Sequence, residues 1–332
     1  MERIWLKNYP PGVPHDIDTE QYKSLTDLME RAFREHSDNP FSVCMNRWMS
    51  YKQLDELSTA LGAWLQNKGL EPGSRVAIML PNLPQFAVTM AAILRAGYTC
   101  VNVNPLYTPR ELEHQLKDSG ASAIVILENF AATLQEVVER TAVQHVVLAS
   151  IGDLLGPING RWLTFAVRHL AKMVPPFELP LSNGRTVTSF KKAIAQGRNL
   201  NLRPTAQTMD DIAFLQYTGG TTGLSKGAVL THRNVVAAML QAESWFSPAL
   251  ADVPDLRKLN NVAALPLYHI FALTLCLLAI RQGSYLTLVP NPRDFAKFIE
   301  VLKQRPFHVL PGVNTLFNAL MQHPMFKTID FS

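Results

Sequence analysis

The stretch Asp211-Ile212-Ala213-Phe214-Leu215-Gln216, then Tyr217-Thr218-Gly219-Gly220-Thr221-Thr222-Gly223-Leu224-Ser225-Lys226-Gly227, then Ala228-Val229-Leu230, decides how the rest of the chain is read. Its centre packs four glycines, three threonines, a serine and a lysine into eleven residues. Glycine lets backbone N–H groups approach an anion closely, and hydroxyls donate further hydrogen bonds or face a metal ion. Lys226 adds a mobile point charge; about 4 Å from a phosphate oxygen it gains roughly 4 kcal/mol at an effective dielectric near 20, before desolvation. This is the chemistry of a loop built to hold phosphate. The plainer alternative is a flexible Gly/Thr turn without a ligand.

The flanks separate this loop from a Walker A box, which needs Gly-Lys followed at once by Ser or Thr at the mouth of a helix. Here Lys226 follows Ser225 and precedes Gly227, and both flanking runs read as strands. A helix is expected only later, from about Asn234 to Trp245, with Thr231 or Asn234 as its cap. The pattern predicts a hairpin-borne phosphate loop and disfavours a Walker-type kinase or ATPase.

Working outward, helix and strand signals alternate. Leu54, Leu57, Leu61 and Leu65 keep a helical period over 51–68, ended by Gly69 and Pro72-Gly73. A strand at 75–80, a helix at 84–95 and a strand at 99–103 follow. Thr108-Pro109-Arg110-Glu111 reads as a capping box with proline at the first helical position. Further strands are expected at 123–127 and 145–148. Beyond the loop come strands at 262–265, 285–289 and 308–310, with helices near 270–281, 294–304 and from Val313. Such alternation predicts an α/β fold: mostly parallel sheets flanked by helices, in two similar layers. The expected division is an N-terminal strap (1–50, with a helix at 24–35), a first α/β subdomain (51–150), a connecting region (151–205), and a second α/β subdomain carrying the phosphate loop (206–332).

Composition bounds the function classes. The net charge of +4 is modest and unclustered, which argues against a nucleic-acid partner. Cys44, Cys100 and Cys276 are far apart and show neither metal spacing nor a disulfide framework. A reducing cytosol is the simple reading. The N-terminus lacks the apolar run of a signal peptide, and the run 271–280 is too short for a membrane span. In 161–174, Trp162, Leu163, Ala166, Val167, Leu170, Met173 and Val174 share one helical face, with Arg161, Arg168 and Lys172 largely away from it. That pattern fits a helix lying on the cytoplasmic membrane surface, or one packed on the protein core.

The run Thr218 to Gly227 resembles the signature of the adenylate-forming acyl-CoA synthetases, a superfamily that includes luciferases and peptide-synthetase adenylation domains. Three more segments are similar to family blocks: 102–112, Leu265-Pro266-Leu267-Tyr268-His269-Ile270-Phe271, and Pro311-Gly312-Val313-Asn314-Thr315-Leu316. Order and spacing fit along essentially the whole chain, with the long-chain fatty acid–CoA ligases of bacteria as the nearest branch. The resemblance implies a two-step ligase. A fatty carboxylate attacks the α-phosphate of ATP, giving acyl-adenylate and pyrophosphate; coenzyme A thiol then displaces AMP. ATP, Mg2+ and CoA are the implied cofactor and co-substrates. An aryl or short acid, a carrier-protein thiol, or a nucleotide- or lipid-binding module without turnover remain as alternatives. A homodimer is among the open oligomeric states.

By the same resemblance, Thr218 through Lys226 grip the β- and γ-phosphates, and Thr218 is the hydroxyl for the magnesium-bound phosphates. Lys226 stabilises the pyrophosphate leaving group. His269 becomes a wall of the acyl/adenylate site, where residue type alone would suggest a core histidine. Phe271, Leu273, Gly312, Val313 and Leu316 are pocket candidates; packing is the competing role for Leu273, and a glycine-requiring turn for Gly312. No Gly-Tyr-Gly-x-Thr-Glu or Thr-Gly-Asp block precedes Ser332, nor does the family's hinge and small C-terminal domain with its catalytic lysine. The expectation is that these 332 residues alone do not complete the reaction.

Overall fold

In the computed structural model, which describes residues 2–219 and 224–331, the alternating signals become two sheets. Helix α1 (Leu25–Glu35) leads into the hairpin β1 (Pro40–Cys44) and β2 (Arg47–Ser50), then α2 (Tyr51–Gln66). There follow β3 (Arg75–Met79), α3 (Pro84–Arg95), β4 (Thr99–Asn102), α4 (Pro109–Ser119), β5 (Ala123–Leu127), α5 (Ala131–Gln135) and β6 (His145–Ala149). Next come α6 (Asn159–Phe165), β7 (Thr186–Ser189), α7 (Phe190–Gly197), β8 (Ile212–Thr218) and β9 (Lys226–Thr231). The chain continues through α8 (His232–Phe246), β10 (Asn260–Ala263), α9 (Ile270–Gln282), β11 (Tyr285–Leu288), α10 (Phe295–Gln304) and α11 (Asn314–Gln322).

Local chemistry places many of these boundaries. Thr108 accepts from the Glu111 N–H while the Glu111 carboxylate accepts from the Thr108 N–H, the expected capping box, with Pro109 behind it. Thr231 and Asn234 form a second box that turns β9 into α8. Every residue of α3 is buried, as suits a helix apolar all round.

The larger sheet runs β7-β6-β5-β3-β4-β8-β9, parallel except for the β8–β9 pair; the smaller runs β10-β11-β1-β2, parallel except for β1–β2. Sheet membership cuts across the linear division expected from the sequence. Residues 1–50 supply two strands of the smaller sheet, with Ser42 beside Leu286. The phosphate hairpin joins the larger sheet, with Cys100 beside Phe214. Parallel strands need partners far along the chain, so proximity in sequence does not assign them. The region 151–205 also holds more order than its prolines suggest: β7 pairs with β6, and Phe190 and Ala193 of α7 are buried.

Segment 161–174 is not one regular amphipathic helix. After α6 the chain makes a π turn over Ala166–Leu170, and Lys172 is left-handed at φ 51°. The seven apolar residues divide: Val167 is buried and Leu163 packs on the core, whereas Trp162, Leu170 and Met173 are exposed. Arg168 bonds the buried Glu128 carboxylate at 2.8 and 2.5 Å. Among the described residues no helix is long and apolar enough to cross a membrane.

His232, the first residue of α8, is fully buried and its Nδ1 accepts the Leu25 N–H at 3.1 Å. Burial pushes its pKa down to about 4, against the opposing pull of Asp211. The unfolded chain therefore binds a proton at higher pH than the folded one, and this contribution to stability is present above about 6.5 and lost as pH falls towards 4. We predict that His232→Asn, which keeps an acceptor for Leu25, flattens the decline in unfolding free energy between pH 6.5 and 4 by roughly 3 kcal/mol in urea titrations.

Candidate active site

Strand β8 carries the glycine- and threonine-rich loop out of the larger sheet, and β9 returns to it, with Thr218 opposite Lys226. Thr218, Gly219, Leu224 and Lys226 are exposed at the mouth of this hairpin, and Ser225 is half-buried. Gly220, Thr221, Thr222 and Gly223 lie outside the described residues. Lys226 has no ion pair or side-chain hydrogen bond among the described residues, so its charge is uncommitted at the hairpin mouth.

Beneath the mouth the hairpin is braced. Tyr217 is 6% exposed and its hydroxyl donates to Asp118 at 2.5 Å. Burial first, and then Asp118, raise the Tyr217 pKa, so the phenol stays protonated. Opposite it stands Gly227, where an added Cβ would lie 2.9 Å from the Tyr217 ring. That glycine makes room for the tyrosine, so both residues shape the loop from below. From α4, His114 donates through Nε2 to the Ser225 carbonyl at 2.9 Å.

Two buried amides, neither singled out from the sequence, join this hairpin to the smaller sheet. Gln216, two residues before Thr218, donates to the Tyr268 carbonyl at 2.8 Å and accepts from the Asn102 amide at 3.1 Å. Asn82, just past β3, donates to the carbonyls of Ala263 (2.9 Å) and Leu265 (2.8 Å), and its oxygen accepts the Leu267 N–H at 2.8 Å. A signal for Gln216 exists in the sequence: it is a lone amide in the apolar run Ala213 to Tyr217, and a buried amide must find partners.

These bonds hold the segment ending at His269, the N-cap of α9. The His269 ring is exposed, tilted on Tyr268 at 4.4 Å between centroids. Partial desolvation lowers its pKa, so near neutral pH the imidazole is uncharged and can donate and accept. The first turn of α9 has no acidic residue, leaving its N-terminal amides and positive dipole end open to an anion.

An apolar cleft of about 590 Å3 runs along the outer face of α9, lined by Phe271, Thr274, Leu275 and Leu278. Trp245 and Phe246 at the end of α8, Val309 and Pro311 form its sides. The N-terminal strap closes the remaining side with Tyr9, Val13 and Ile17, and Tyr9 meets Trp245 edge-to-face at 5.2 Å. Seven residues of helix give the lined face a length of about 10 Å. Of the pocket candidates, Phe271 lines this cleft and His269 stands at the head of α9. Leu273 is fully buried in the core, since it lies on the opposite helical face. Neither Gly312 nor Val313 lines the cleft. An added Cβ on Gly312 would meet Phe317 at 2.7 Å, so the space it leaves is filled by that ring. Among the described residues no cluster of His, Cys, Asp and Glu could hold a metal by itself.

The hairpin, the capped helix and the two-sheet frame define a class: residues 29–332 match the family described as AMP-binding enzyme, and the chain belongs to it. It is 47% identical to the long-chain-fatty-acid–CoA ligase of Escherichia coli O157:H7 and 45% to that of Haemophilus influenzae. Both alignments cover all of this chain and 58% of the relative, so the chain spans a little over half the length of those proteins. The crystal structure of the anthranilate CoA ligase AuaEII with anthranoyl-AMP shares the fold at a TM-score of 0.76 and 18% identity, over 95% of this chain and 55% of that one.

Asn82→Ala strands two carbonyls and an N–H at the junction. We predict a loss of roughly 3 kcal/mol in urea unfolding.

Proposed function

We propose that the protein carrying this sequence is an AMP-forming long-chain fatty acid–CoA ligase. The observation that carries the reading is the junction itself. A Gly/Thr hairpin with an uncommitted lysine is tied through Gln216 to the segment that presents His269 at the start of α9, the helix whose outer face lines an apolar cleft. The relatives named as long-chain-fatty-acid–CoA ligases support the same substrates: a fatty acid, ATP and CoA.

In this reading the hairpin amides, Thr218 and Lys226 hold the β- and γ-phosphates of ATP. The donor set fits, because exposed N–H, hydroxyl and ammonium groups complement phosphate oxygens and no carboxylate of the hairpin competes. Thr218 would face the magnesium that accompanies those phosphates, and the ion would supply charge neutralisation there. The fatty carboxylate lies at the N-terminus of α9 beside neutral His269, where dipole and imidazole orient it towards the α-phosphate. Attack forms the carboxyl–phosphate bond and expels pyrophosphate, whose new charge Lys226 stabilises. The thiol of CoA then attacks the acyl carbon and AMP leaves. Each methylene placed in the cleft adds about 0.8 kcal/mol, so burial along Phe271 to Leu278 favours long chains.

A water-insoluble substrate also suits contact with a lipid surface through 161–174. Support comes from the exposure of Trp162, Phe165, Leu170 and Met173 in that segment.

Fatty-acid-dependent ATP–pyrophosphate exchange by the ligase carrying this sequence tests the reading. Lys226→Ala is expected to slow exchange roughly 100-fold with the fatty-acid KM little changed. Leu278→Trp is expected to shorten the preferred chain. Exchange without a fatty-acid requirement, or unaffected by Lys226→Ala, contradicts the proposal.

A further inference from the structure

Resting on the membrane-contact reading, we propose that the cleft between β2, α6 and α7 binds the headgroups of anionic phospholipids. The neighbouring apolar ridge seats in the same lipid surface.

The cleft, about 410 Å3, is lined by four cationic side chains, Arg47, Arg161, Lys191 and Arg198. Two carboxylates, Glu56 and Asp153, face them, and Asp153 is 3.5 Å from Lys191. The guanidinium groups of Arg47, Arg161 and Arg198 have no hydrogen bond or ion pair among the described residues. Three uncommitted guanidiniums around one cleft repel one another until an anion arrives. Their planar forks match phosphate oxygens in pairs. The surrounding chain has the same bias: residues 157–203 contain eight Lys or Arg and a single acidic residue, Glu178, in a protein of net charge +4.

Arg161 immediately precedes Trp162 of an exposed apolar ridge. Ile158 is 78% exposed, Trp162 57% and Phe165 54%, and Leu170 and Met173 follow. These positions step by four, three, five and three residues, and the five-residue step falls in the π turn, where each turn holds more residues. The turn therefore keeps the ridge from winding onto the core side with Val167. Trp162 and Phe165 meet edge-to-face at 6.3 Å, and Trp48, also exposed, lies at the rim of the cationic cleft. Bulky aromatics beside uncommitted arginines complement a surface with apolar tails below and phosphates above. A protein partner of matching shape would have to supply both at once. A lipid surface supplies both by its nature.

Vesicle co-sedimentation of the 332-residue chain tests this, using phosphatidylcholine alone and phosphatidylcholine mixed with phosphatidylglycerol. The expected result is tighter binding to the mixed vesicles. The Arg47→Gln/Arg161→Gln/Arg198→Gln variant should lower that binding about 100-fold, to near the level on phosphatidylcholine. Trp162→Glu should weaken binding to both, and all these positions are exposed, so circular dichroism should be unchanged. If the wild-type chain sediments with neither vesicle, the membrane-contact reading itself fails. If it sediments equally with both and the triple variant is unaffected, membrane contact stands and the headgroup site is overturned. Binding of inorganic phosphate, abolished in the triple variant, without preference for anionic vesicles would also overturn it.

Discussion

Two buried amides, on Asn82 and Gln216, fix how the larger sheet meets the backbone that leads from the smaller sheet into α9. Each sits near the end of a strand of the larger sheet and donates its amide N–H to the backbone that leaves the smaller sheet, while the Gln216 oxygen accepts from Asn102. An amide buried without partners costs on the order of 1–3 kcal/mol, so these bonds are strongly enforced. They bring a hairpin rich in anion donors beside the start of α9. The proposed site belongs to the junction between the two sheets and not to either sheet alone.

The rest follows from how α9 is shared between two environments. Its inner face, with Leu273 and Cys276, belongs to the core. Its outer face, with Phe271, Leu275 and Leu278, is left for a cleft that the N-terminal strap partly covers. One helix thus offers a polar, dipole-positive end to an anion and an apolar flank to whatever is attached to that anion. A fatty acid is a molecule of that description: a carboxylate followed by a long apolar chain. In the first part of the strap, before α1, the backbone bonds are local, as in Tyr9 to Leu6 and Val13 to Pro10, and side chains such as Tyr9 on Trp245 hold it to the body.

Local features were legible in the sequence. The Thr108–Glu111 box, the proline at the start of α3 and the strands flanking the hairpin are written in neighbouring residues, and each appears where its residues place it. Features that depend on distant pairing were not. Strand β1 is defined by β11, more than two hundred residues away, and the short, half-exposed β7 by its place beside β6. The site divides the same way. Lys226 and His269 stand out because charge and imidazole are unusual in their settings. Leu273 and Gly312 could not be separated from lining residues without knowing which way each helix turns its faces. The paired roles of Tyr217 and Gly227 needed the cross-strand register.

The cleft along the outer face of α9 is the proposed seat of the acyl chain. Photolabelling with palmitate carrying a diazirine at its terminal carbon measures this most directly. Labelling is expected within Trp245–Phe246 and Leu275–Leu278, and excess unlabelled palmitate should suppress it. Labelling confined to the exposed ridge at 158–173, with those cleft residues untouched, would contradict it.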